Sequence, residues 1–411
     1  MKYKQRLVSS RIDDLLAHFP VLVVAGARQV GKSTLLAHHL PAWDTIVFDP
    51  VVDIGNARSD PELFLRNHPP PLALDEIQYC PELVPSIKRW VDKNSRPGMF
   101  VLTGSQQWSV LRSIGESLAG RAVFLDLESF SLAEIAERIP ERSWLERYLD
   151  DPDALVAAPP ARHPADRTLY ECLWRGTLPA MDTLPRTVAS DFFAGYLRTY
   201  VERDVRLMLD AADWQQFGRF VQLAAALTAQ EVNFSQLGRE IGITPQTSKR
   251  WLAVLAATFQ WFELPAYQGN AIKRISSKPK GYLSDTGLAC HLSRITSPDA
   301  LGGHPMAGAL FETAVVSEIR KLQSAMPRKA ALYHWRTHGG SEVDLVLERD
   351  GLLYPIEIKL ASRPTRNDAR GFTALRASNP RQRIAPGLVL APAEHIERLT
   401  DNDFVAPYDM V

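Results

Sequence analysis

The chain has 411 residues, more than one ordinary globular domain contains, so two or three domains are expected. Apolar residues make up 45% and charged residues 23%, a balance that excludes a wholly disordered or fibrous protein. The 47 basic and 47 acidic residues cancel, so any attraction to nucleic acid must come from a local patch and not from net charge.

The sequence carries no signal for a membrane or for export. Its apolar stretches are much shorter than the roughly 20 residues that cross a bilayer. The N-terminus lacks the apolar core and cleavage site of a signal peptide. The three cysteines, Cys80, Cys172 and Cys290, lack the spacing of a disulfide framework or a zinc ribbon. We therefore expect a cytoplasmic protein with no membrane partner.

In residues 1–150, short β-branched runs alternate with helical stretches, the pattern of a parallel sheet covered by helices. Helices are predicted at Lys32–Leu40, which ends before a proline, and at Pro81–Lys93, where apolar residues recur every four positions. The five predicted strands are Val21–Ala25, Thr45–Phe48, Leu72–Leu74, Met99–Thr103 and Ala122–Leu127. The first domain is therefore predicted to be a five-strand α/β domain.

A phosphate-binding loop is predicted between the first strand and the first helix. The pattern G-x-x-x-x-G-K-[S/T] is matched by Gly26, Ala27, Arg28, Gln29, Val30, Gly31, Lys32 and Ser33, followed by Thr34. Its glycines let successive backbone N–H groups face anionic oxygens. We expect Lys32 to reach the β- and γ-phosphates of ATP and the Ser33 hydroxyl to bind Mg²⁺.

Two acidic residues follow the third predicted strand. We expect Asp75 to hold Mg²⁺ through water and Glu76 to polarise the water that attacks the γ-phosphate. Because Glu76 is placed to activate water, hydrolysis is favoured over phosphoryl transfer by a small-molecule kinase. The alternative is that Glu76 is a solvated carboxylate at the end of a strand.

Further polar residues complete the predicted nucleotide site. Thr103 or Ser105, at the end of the fourth strand, is expected to sense the γ-phosphate. Arg121 precedes the fifth strand, where it would act in cis or reach a neighbouring subunit as an arginine finger, so a homo-oligomer is left open. The alternative for Arg121 is a surface residue that caps a helix C-terminus.

The middle domain, residues 165–300, reads mainly as helices and follows a boundary segment rich in proline, alanine and aspartate. A long helix is predicted at Asp191–Leu209. The run Phe234–Leu252 predicts a helix-turn-helix with Gly242 in the turn. The candidate contacts to nucleic acid, with DNA favoured, are Lys249, Arg250, Lys273 and Arg274. The alternative is a winged helix that serves only for packing.

The last domain, residues 301–411, is predicted to be α/β, with a helix at Ala309–Gln323 and then strands. Two of these strands form a hairpin closed by an Asp-Gly turn. Three acids and a lysine, Glu312, Asp344, Glu357 and Lys359, are the residue types with which a nuclease holds Mg²⁺ and activates water. An ordinary cross-strand ion pair is the alternative.

The motifs GARQVGKST, LALDEIQ, VLTGSQQ and SLAGR stand in the first third, and YLRTYVERDV, KGYLSDTGLA and EVDLVLE with YPIEIK stand further along. Together they resemble the bacterial and archaeal AAA+-type ATPases that carry a C-terminal domain of unknown function. The resemblance implies an α/β multidomain protein with a P-loop NTPase (AAA+-like) parallel sheet, a helical winged-helix middle and a restriction-endonuclease-like end with a PD-(D/E)xK motif. ATP binding and hydrolysis are the implied activities.

Two hypotheses of different classes follow. The first is an ATP-hydrolysing switch, with ATP and Mg²⁺ as cofactors, whose P-loop domain rearranges a C-terminal half that contacts nucleic acid. The second is a nucleotide-gated regulatory or scaffold module in which the nuclease-like end has lost catalysis. Glu76 and Lys359, the residues needed for turnover in the two domains, are both present.

Overall fold

A computed structural model describes residues 2–105, 117–163, 166–200, 214–269, 277–337 and 339–411. The fold is α/β, with an N-terminal parallel sheet, a helical middle and a C-terminal mixed sheet. None of the helices in these ranges is both long and apolar enough to span a membrane.

The N-terminal sheet has five parallel strands in the order β2-β3-β4-β1-β5. Their bounds are β1 Val21–Ala25, β2 Asp44–Val47, β3 Leu72–Asp75, β4 Phe100–Gly104 and β5 Ala122–Asp126. All five predicted strands are confirmed. The central strands β1, β3 and β4 are buried along their whole length, as strands covered by helices on both faces must be.

Helices pack around this sheet. Their bounds are α1 Ser9–His18, α2 Lys32–His39, α3 Pro61–Asn67, α4 Leu83–Asn94, α5 Leu132–Ile135, α6 Trp144–Asp150 and α7 Pro152–Ala157. The two predicted helices correspond to α2 and α4, each within two residues at either end. Because parallel strands end at one edge of a sheet, the loops after β1, β3 and β4 meet there.

The middle of the chain is mainly helical. Its helices are α8 Leu169–Arg175, α9 Pro179–Thr183, α10 Ala189–Tyr200, α11 Trp214–Ala226, α12 Phe234–Ile241, α13 Pro245–Ala257, α14 Thr286–Leu292 and α15 Pro298–Gly302. Three antiparallel strands accompany them, β6 Gln230–Glu231, β7 Trp261–Leu264 and β8 Lys280–Leu283, in the order β6-β8-β7. The predicted helix over Asp191–Leu209 is described through Tyr200, and the rest of it lies outside the described residues.

The C-terminal part begins with the 19-residue helix α16 Ala307–Ala325 and adds α17 Arg370–Ser378. Its strands are β9 Ala331–Arg336, β10 Glu342–Arg349, β11 Leu352–Ile358, β12 Arg383–Ile384, β13 Gly387–Ala391, β14 Glu397–Arg398 and β15 Asp403–Pro407. The predicted hairpin is confirmed, because β10 and β11 pair antiparallel. Its turn residues Asp350 and Gly351 both have positive φ, as a tight two-residue turn requires.

The apolar core is continuous across the three parts. One cluster of buried side chains includes Leu36 beside the first sheet, Phe217 in the middle and Leu345 in the last sheet. This continuity means that the parts share buried surface and are not loosely tethered. The division at about residues 150 and 300 therefore stays a prediction.

Candidate nucleotide site and C-terminal carboxylate cluster

The phosphate-binding loop lies between β1 and α2, as predicted. Gly31 is the N-cap of α2 and has a φ of 96°, which favours glycine. A Cβ on Gly26 would lie 2.2 Å from the carbonyl oxygen of Leu127, so any side chain there would collide with backbone. The two glycines of the motif are thus required by the shape of the loop. Ser33 and Thr34 are exposed in the first turn of α2.

Lys32 is buried against its own loop. Its ammonium Nζ donates hydrogen bonds of 2.9 Å to the carbonyl oxygens of Gly26 and Ala27. The amine is therefore held inside the loop that should receive the phosphates. A γ-phosphate would offer it a charged acceptor in place of two neutral carbonyls, which makes a stronger hydrogen bond.

Asp75 ends β3 at the same edge of the sheet as this loop and is almost completely buried. The Thr103 hydroxyl at the end of β4 donates to Asp75 Oδ1 and accepts a hydrogen bond of 3.1 Å from the Glu76 N–H. Within the described part of the chain, Asp75 Oδ2 is buried and has no hydrogen-bond partner. A buried, unsatisfied carboxylate oxygen is costly unless a cation or its water completes it. This donor set fits Mg²⁺, and Ser33 stays the predicted second ligand.

Glu76 is positioned by a residue that the sequence interpretation missed. Glu76 has a left-handed backbone, with φ 58° and ψ 44°. The amide Nε2 of Gln78 donates both to the Glu76 carboxylate and, at 3.2 Å, to the hydroxyl of Ser105. Gln78 thus links Glu76 to Ser105, the other candidate for sensing the γ-phosphate. The only signal in the sequence was the position of Gln78 inside the LALDEIQ motif.

Arg6, also missed by the sequence interpretation, supports the loop from the N-terminal segment. Its guanidinium donates 2.7 Å hydrogen bonds to the carbonyl oxygens of Val30 and Glu128, and a 2.9 Å bond to the carboxylate of Glu134. The side chains of Arg6 and Glu134 are both buried. This buried ion pair ties the phosphate-binding loop to the segment that follows β5.

Arg121 lies at the opposite edge of the sheet. It directly precedes β5, and its carbonyl oxygen accepts from the N–H of Val21 at the start of β1. The five-residue strand β1 then spans roughly 13 Å to the phosphate-binding loop. The guanidinium pairs with Asp92. This placement argues against a finger in cis, so only a role toward a neighbouring subunit stays as a prediction.

The C-terminal sheet and α16 bring three predicted acids near one another. Glu312 lies on α16, Asp344 on β10 and Glu357 on β11. Asp344 Oδ2 accepts a 3.0 Å hydrogen bond from the Ile358 N–H, and the Lys359 ammonium lies 2.6 Å from Glu357 Oε1. Burial, with the charge of Asp344, raises the pKa of Glu357 to about 8.

A second lysine, not predicted as part of this cluster, comes from the middle of the chain. The Lys280 ammonium on β8 lies 2.5 Å from Glu312 Oε1 and 3.3 Å from Asp344 Oδ1. Burial raises the pKa of Glu312 to about 7, and the charge of Asp344 adds to this.

Within the described residues, no three His, Cys, Asp or Glu side chains form a group that could hold a metal ion. The predicted metal role of Glu312, Asp344 and Glu357 therefore stays a prediction.

The predicted helix-turn-helix corresponds to α12 and α13. Gly242 between them has a φ of 78°, and the Thr244 hydroxyl caps α13 by accepting from the Thr247 N–H at 3.1 Å. Lys249 and Arg250 are exposed on α13. The other two candidate contacts, Lys273 and Arg274, lie outside the described residues.

Comparison with known families gives three matched stretches. Residues 18–136 match an AAA domain, AAA_14. Residues 166–299 and 307–411 match two domains of unknown function, DUF8612 and DUF4143. The first match covers the whole phosphate-binding edge of the parallel sheet, and the last covers α16 and the C-terminal sheet. The chain therefore carries a P-loop AAA-type ATPase domain followed by a C-terminal domain of unknown function.

Two curated relatives match along the whole chain. These are the uncharacterized proteins Mb2031c of Mycobacterium bovis and Rv2008c of Mycobacterium tuberculosis, each 26% identical over 412 residues, which is 100% of this chain and 85% of the relative. Among solved structures, the Walker-type ATPase PABY2304 of Pyrococcus abyssi is 16% identical, with a TM-score of 0.44. That match covers 71% of this chain and 98% of the other.

Proposed function

We propose that the protein is an ATP-hydrolysing switch whose P-loop domain controls a C-terminal half that acts on or with nucleic acid. The observation that carries this proposal is helix α16, which reaches both parts. Near its start, Glu312 is one of the three predicted acids of the C-terminal domain, and it pairs with Lys280 of the middle region. Near its end, Lys321 donates 2.9 Å hydrogen bonds to the carbonyl oxygen of Phe130 and the hydroxyl of Thr177.

The nucleotide chemistry rests on residues already described. The N–H groups of the loop and Lys32 would bind the phosphates, while Ser33 and Asp75 would hold Mg²⁺, which neutralises phosphate charge when bound. Glu76, held by Gln78, would orient the attacking water. Ser105, on the same amide, is the group that would respond to the γ-phosphate.

The route from this loop to α16 is short. Arg6 binds the Val30 carbonyl of the loop and the backbone carbonyl of Glu128. The Glu128 carboxylate in turn lies 2.6 Å from the guanidinium of Arg320 on α16. A shift of the phosphate-binding loop on nucleotide binding would therefore act on α16 through two buried or half-buried residues. Such a path can transmit a change only if α16 has two arrangements, which is what a switch requires.

The nucleic-acid part of the proposal is supported by local charge. Lys249 and Arg250 are exposed on the second helix of the helix-turn-helix, the face that this motif presents to a phosphate backbone. The same proposal includes two further parts. The middle region would act as a winged helix that contacts nucleic acid, and the C-terminal domain would act as a PD-(D/E)xK nuclease.

A regulatory or scaffold module is the second candidate, and one observation favours it. The Lys280 ammonium already compensates two of the carboxylates that a nuclease would use for its metal. In this alternative, nucleotide binding changes the shape of the C-terminal half, but no bond in nucleic acid is cut.

The test is an ATPase assay of the purified full-length protein alone, with double-stranded DNA, with single-stranded DNA and with RNA. The switch proposal expects magnesium-dependent hydrolysis that at least one nucleic acid stimulates several-fold. Hydrolysis that no nucleic acid alters, together with no binding in a parallel anisotropy titration, would favour the scaffold alternative. The Lys32→Ala protein is the control for a contaminating ATPase.

A further inference from the structure

A cleft of about 370 Å³ lies in the middle region of the chain. Its walls come from α8, α10, α14 and the residues that directly follow α14. It shares no described lining residue with the phosphate-binding loop or with the three C-terminal acids. Clefts that hold small organic ligands have volumes of roughly 300–1,000 Å³, so this one is large enough for such a ligand.

The base of the cleft is aromatic. Trp174 and Phe193 are buried there, and the ring of the half-buried His291 lies 5.8 Å from that of Phe193. Trp174 is held in place because its Nε1–H donates a 3.0 Å hydrogen bond to the carbonyl oxygen of Ile295. A Cβ on Gly287 would lie 2.7 Å from the Phe193 ring, so glycine allows α14 to pack closely at this point. The base is therefore formed before any ligand binds, and it offers ring edges and faces to another aromatic ring.

The rim of the cleft is polar and carries a positive charge. Ser190, Arg294 and Thr296 line it and are exposed. None of the described lining residues is acidic, and Arg294 has no ion pair within the described part of the chain. Burial lowers the pKa of His291, so its ring is neutral at pH 7 and the charge comes from Arg294. Ser190 stands in the first turn of α10, and the positive end of that helix dipole adds to the attraction for an anion.

Arg294 has a backbone conformation that usually belongs to glycine. Its φ is 58°, in the left-handed region. Its N–H donates to the carbonyl oxygen of His291 at 3.1 Å, and the N–H of Ile295 donates to that of Cys290 at 2.9 Å, which closes the end of α14. Glycine is the residue that such a helix end favours. The turn therefore gives no reason for an arginine, and residues held in this region of φ and ψ cluster at ligand sites.

We infer that this cleft binds a small aromatic acid, with the ring against Trp174 and Phe193 and the anionic group on the Arg294 guanidinium. The hydroxyls of Ser190 and Thr296 and the neutral ring of His291 supply further hydrogen-bonding groups around the anion. This inference goes beyond the proposed switch and does not depend on it, because it concerns a ligand site in the middle region.

The experiment is a saturation-transfer NMR titration of the nucleotide-free, full-length protein. The probes are cinnamate and phenylacetate, together with their neutral amides, cinnamamide and phenylacetamide. We expect at least one acid to bind with a Kd below about 1 mM and at least tenfold more tightly than its amide, because only the acid makes a charged hydrogen bond.

Variants then place the binding in the cleft. Arg294→Gln should weaken binding of the acid about tenfold and leave that of the amide unchanged, whereas Arg294→Lys keeps the charge and should resemble the wild type. Ser190→Phe fills the cleft from an exposed position and should abolish binding of both. Arg239→Gln, at an exposed position of α12, is the matched control and should change nothing. Lys32→Ala should also bind the acid normally, which separates the cleft from the phosphate-binding loop.

Three results would overturn the inference. The first is that neither acid binds more tightly than about 1 mM. The second is equal binding of acid and amide, since the guanidinium would then play no part. The third is binding of the acid that Arg294→Gln or folded Ser190→Phe protein leaves unchanged, with folding checked by circular dichroism. The comparison of acid with amide in the wild type and in Arg294→Gln decides the matter even if Ser190→Phe does not fold.

Discussion

Lys32 and Glu76 carry different parts of the proposed chemistry, and their variants should separate binding from hydrolysis. Lys32→Ala removes the charge that neutralises the phosphates, so tight ATP binding should be lost. Glu76→Gln keeps the side chain in place but cannot activate water, so ATP affinity should stay near that of the wild type while kcat falls about 100-fold or more. Equilibrium binding of a fluorescent ATP analogue and steady-state hydrolysis measure the two effects.

A matched control is Glu82→Gln, because Glu82 is an exposed carboxylate just before α4. It should change neither quantity. Unchanged turnover in Glu76→Gln would remove that residue from the mechanism and favour the alternative of a solvated carboxylate.

Among the single elements, the second helix of the helix-turn-helix leads us to predict how DNA binding depends on salt. If Lys249 and Arg250 on α13 each contact a phosphate, replacing both by Ala should weaken binding. The slope of log K against log salt should then fall in magnitude by about two, because each contact releases about one counterion. The slope is measured by fluorescence anisotropy with a DNA duplex at several salt concentrations between about 50 and 200 mM.

The control for this experiment removes two cations elsewhere. Arg66→Ala with Lys93→Ala makes the same change of charge at exposed positions of α3 and α4. It should leave the slope unchanged. If the two double variants behave alike, α13 does not contact phosphates and the helix-turn-helix serves for packing.

Glu318 on helix α16 leads us to predict how the stability of the fold depends on pH. Burial raises the pKa of Glu318 to about 7 from its usual value of 4.5, although Lys321 opposes this. The folded state then binds more protons than the unfolded state between these values, so the contribution of Glu318 to stability is lost as pH rises toward 7. Glu318→Gln should therefore gain stability relative to the wild type between pH 5 and 8, by at most about 3 kcal/mol.

Urea unfolding at several pH values measures this difference. The glutamine can still accept the hydrogen bond that Glu318 Oε1 accepts from the Leu132 N–H at 3.0 Å. Glu394→Gln, at an exposed position, is the control and should differ from the wild type by a constant amount. A difference for Glu318→Gln that does not vary with pH would mean that this carboxyl is ionised throughout the range.

At the scale of the whole molecule, the contact between Arg320 and Glu128 should carry a signal from the nucleotide to the C-terminal part. Binding of a non-hydrolysable ATP analogue should change hydrogen exchange in α16 and β10 of the wild type. Arg320→Gln removes the ion pair with Glu128 and the stacking on Phe262, whose ring centre is 3.9 Å from the guanidinium carbon. The variant should bind the analogue equally well but lose most of the change in exchange, as mass spectrometry can measure.

Arg328→Gln is the matched control, because this arginine lies just beyond α16 and is 70% exposed. It should keep the wild-type response. An equal response in Arg320→Gln would show that the parts communicate by another route, and no response in the wild type would contradict the switch itself.

Local sequence patterns are enough to predict several parts of this protein. The five strands, the phosphate-binding loop and the C-terminal hairpin follow from apolar periodicity, glycine positions and turn residues, which act over a few neighbouring positions. The acids Asp75 and Glu76 could be predicted for the same reason, since a strand end is a local feature.

Contacts between residues far apart in the sequence are seen only in the folded structure. Arg6 lies 128 positions from Glu134, and Lys280 lies 64 positions from Asp344. No local pattern links such partners, because their contact depends on how separate elements pack against one continuous core. For the same reason Arg121, which directly precedes the edge strand β5, lies at the end of the sheet away from the phosphates. The carboxylates of the last domain could be named from the sequence, but Lys280, which pairs with Glu312 and Asp344, comes from a strand of another part of the chain.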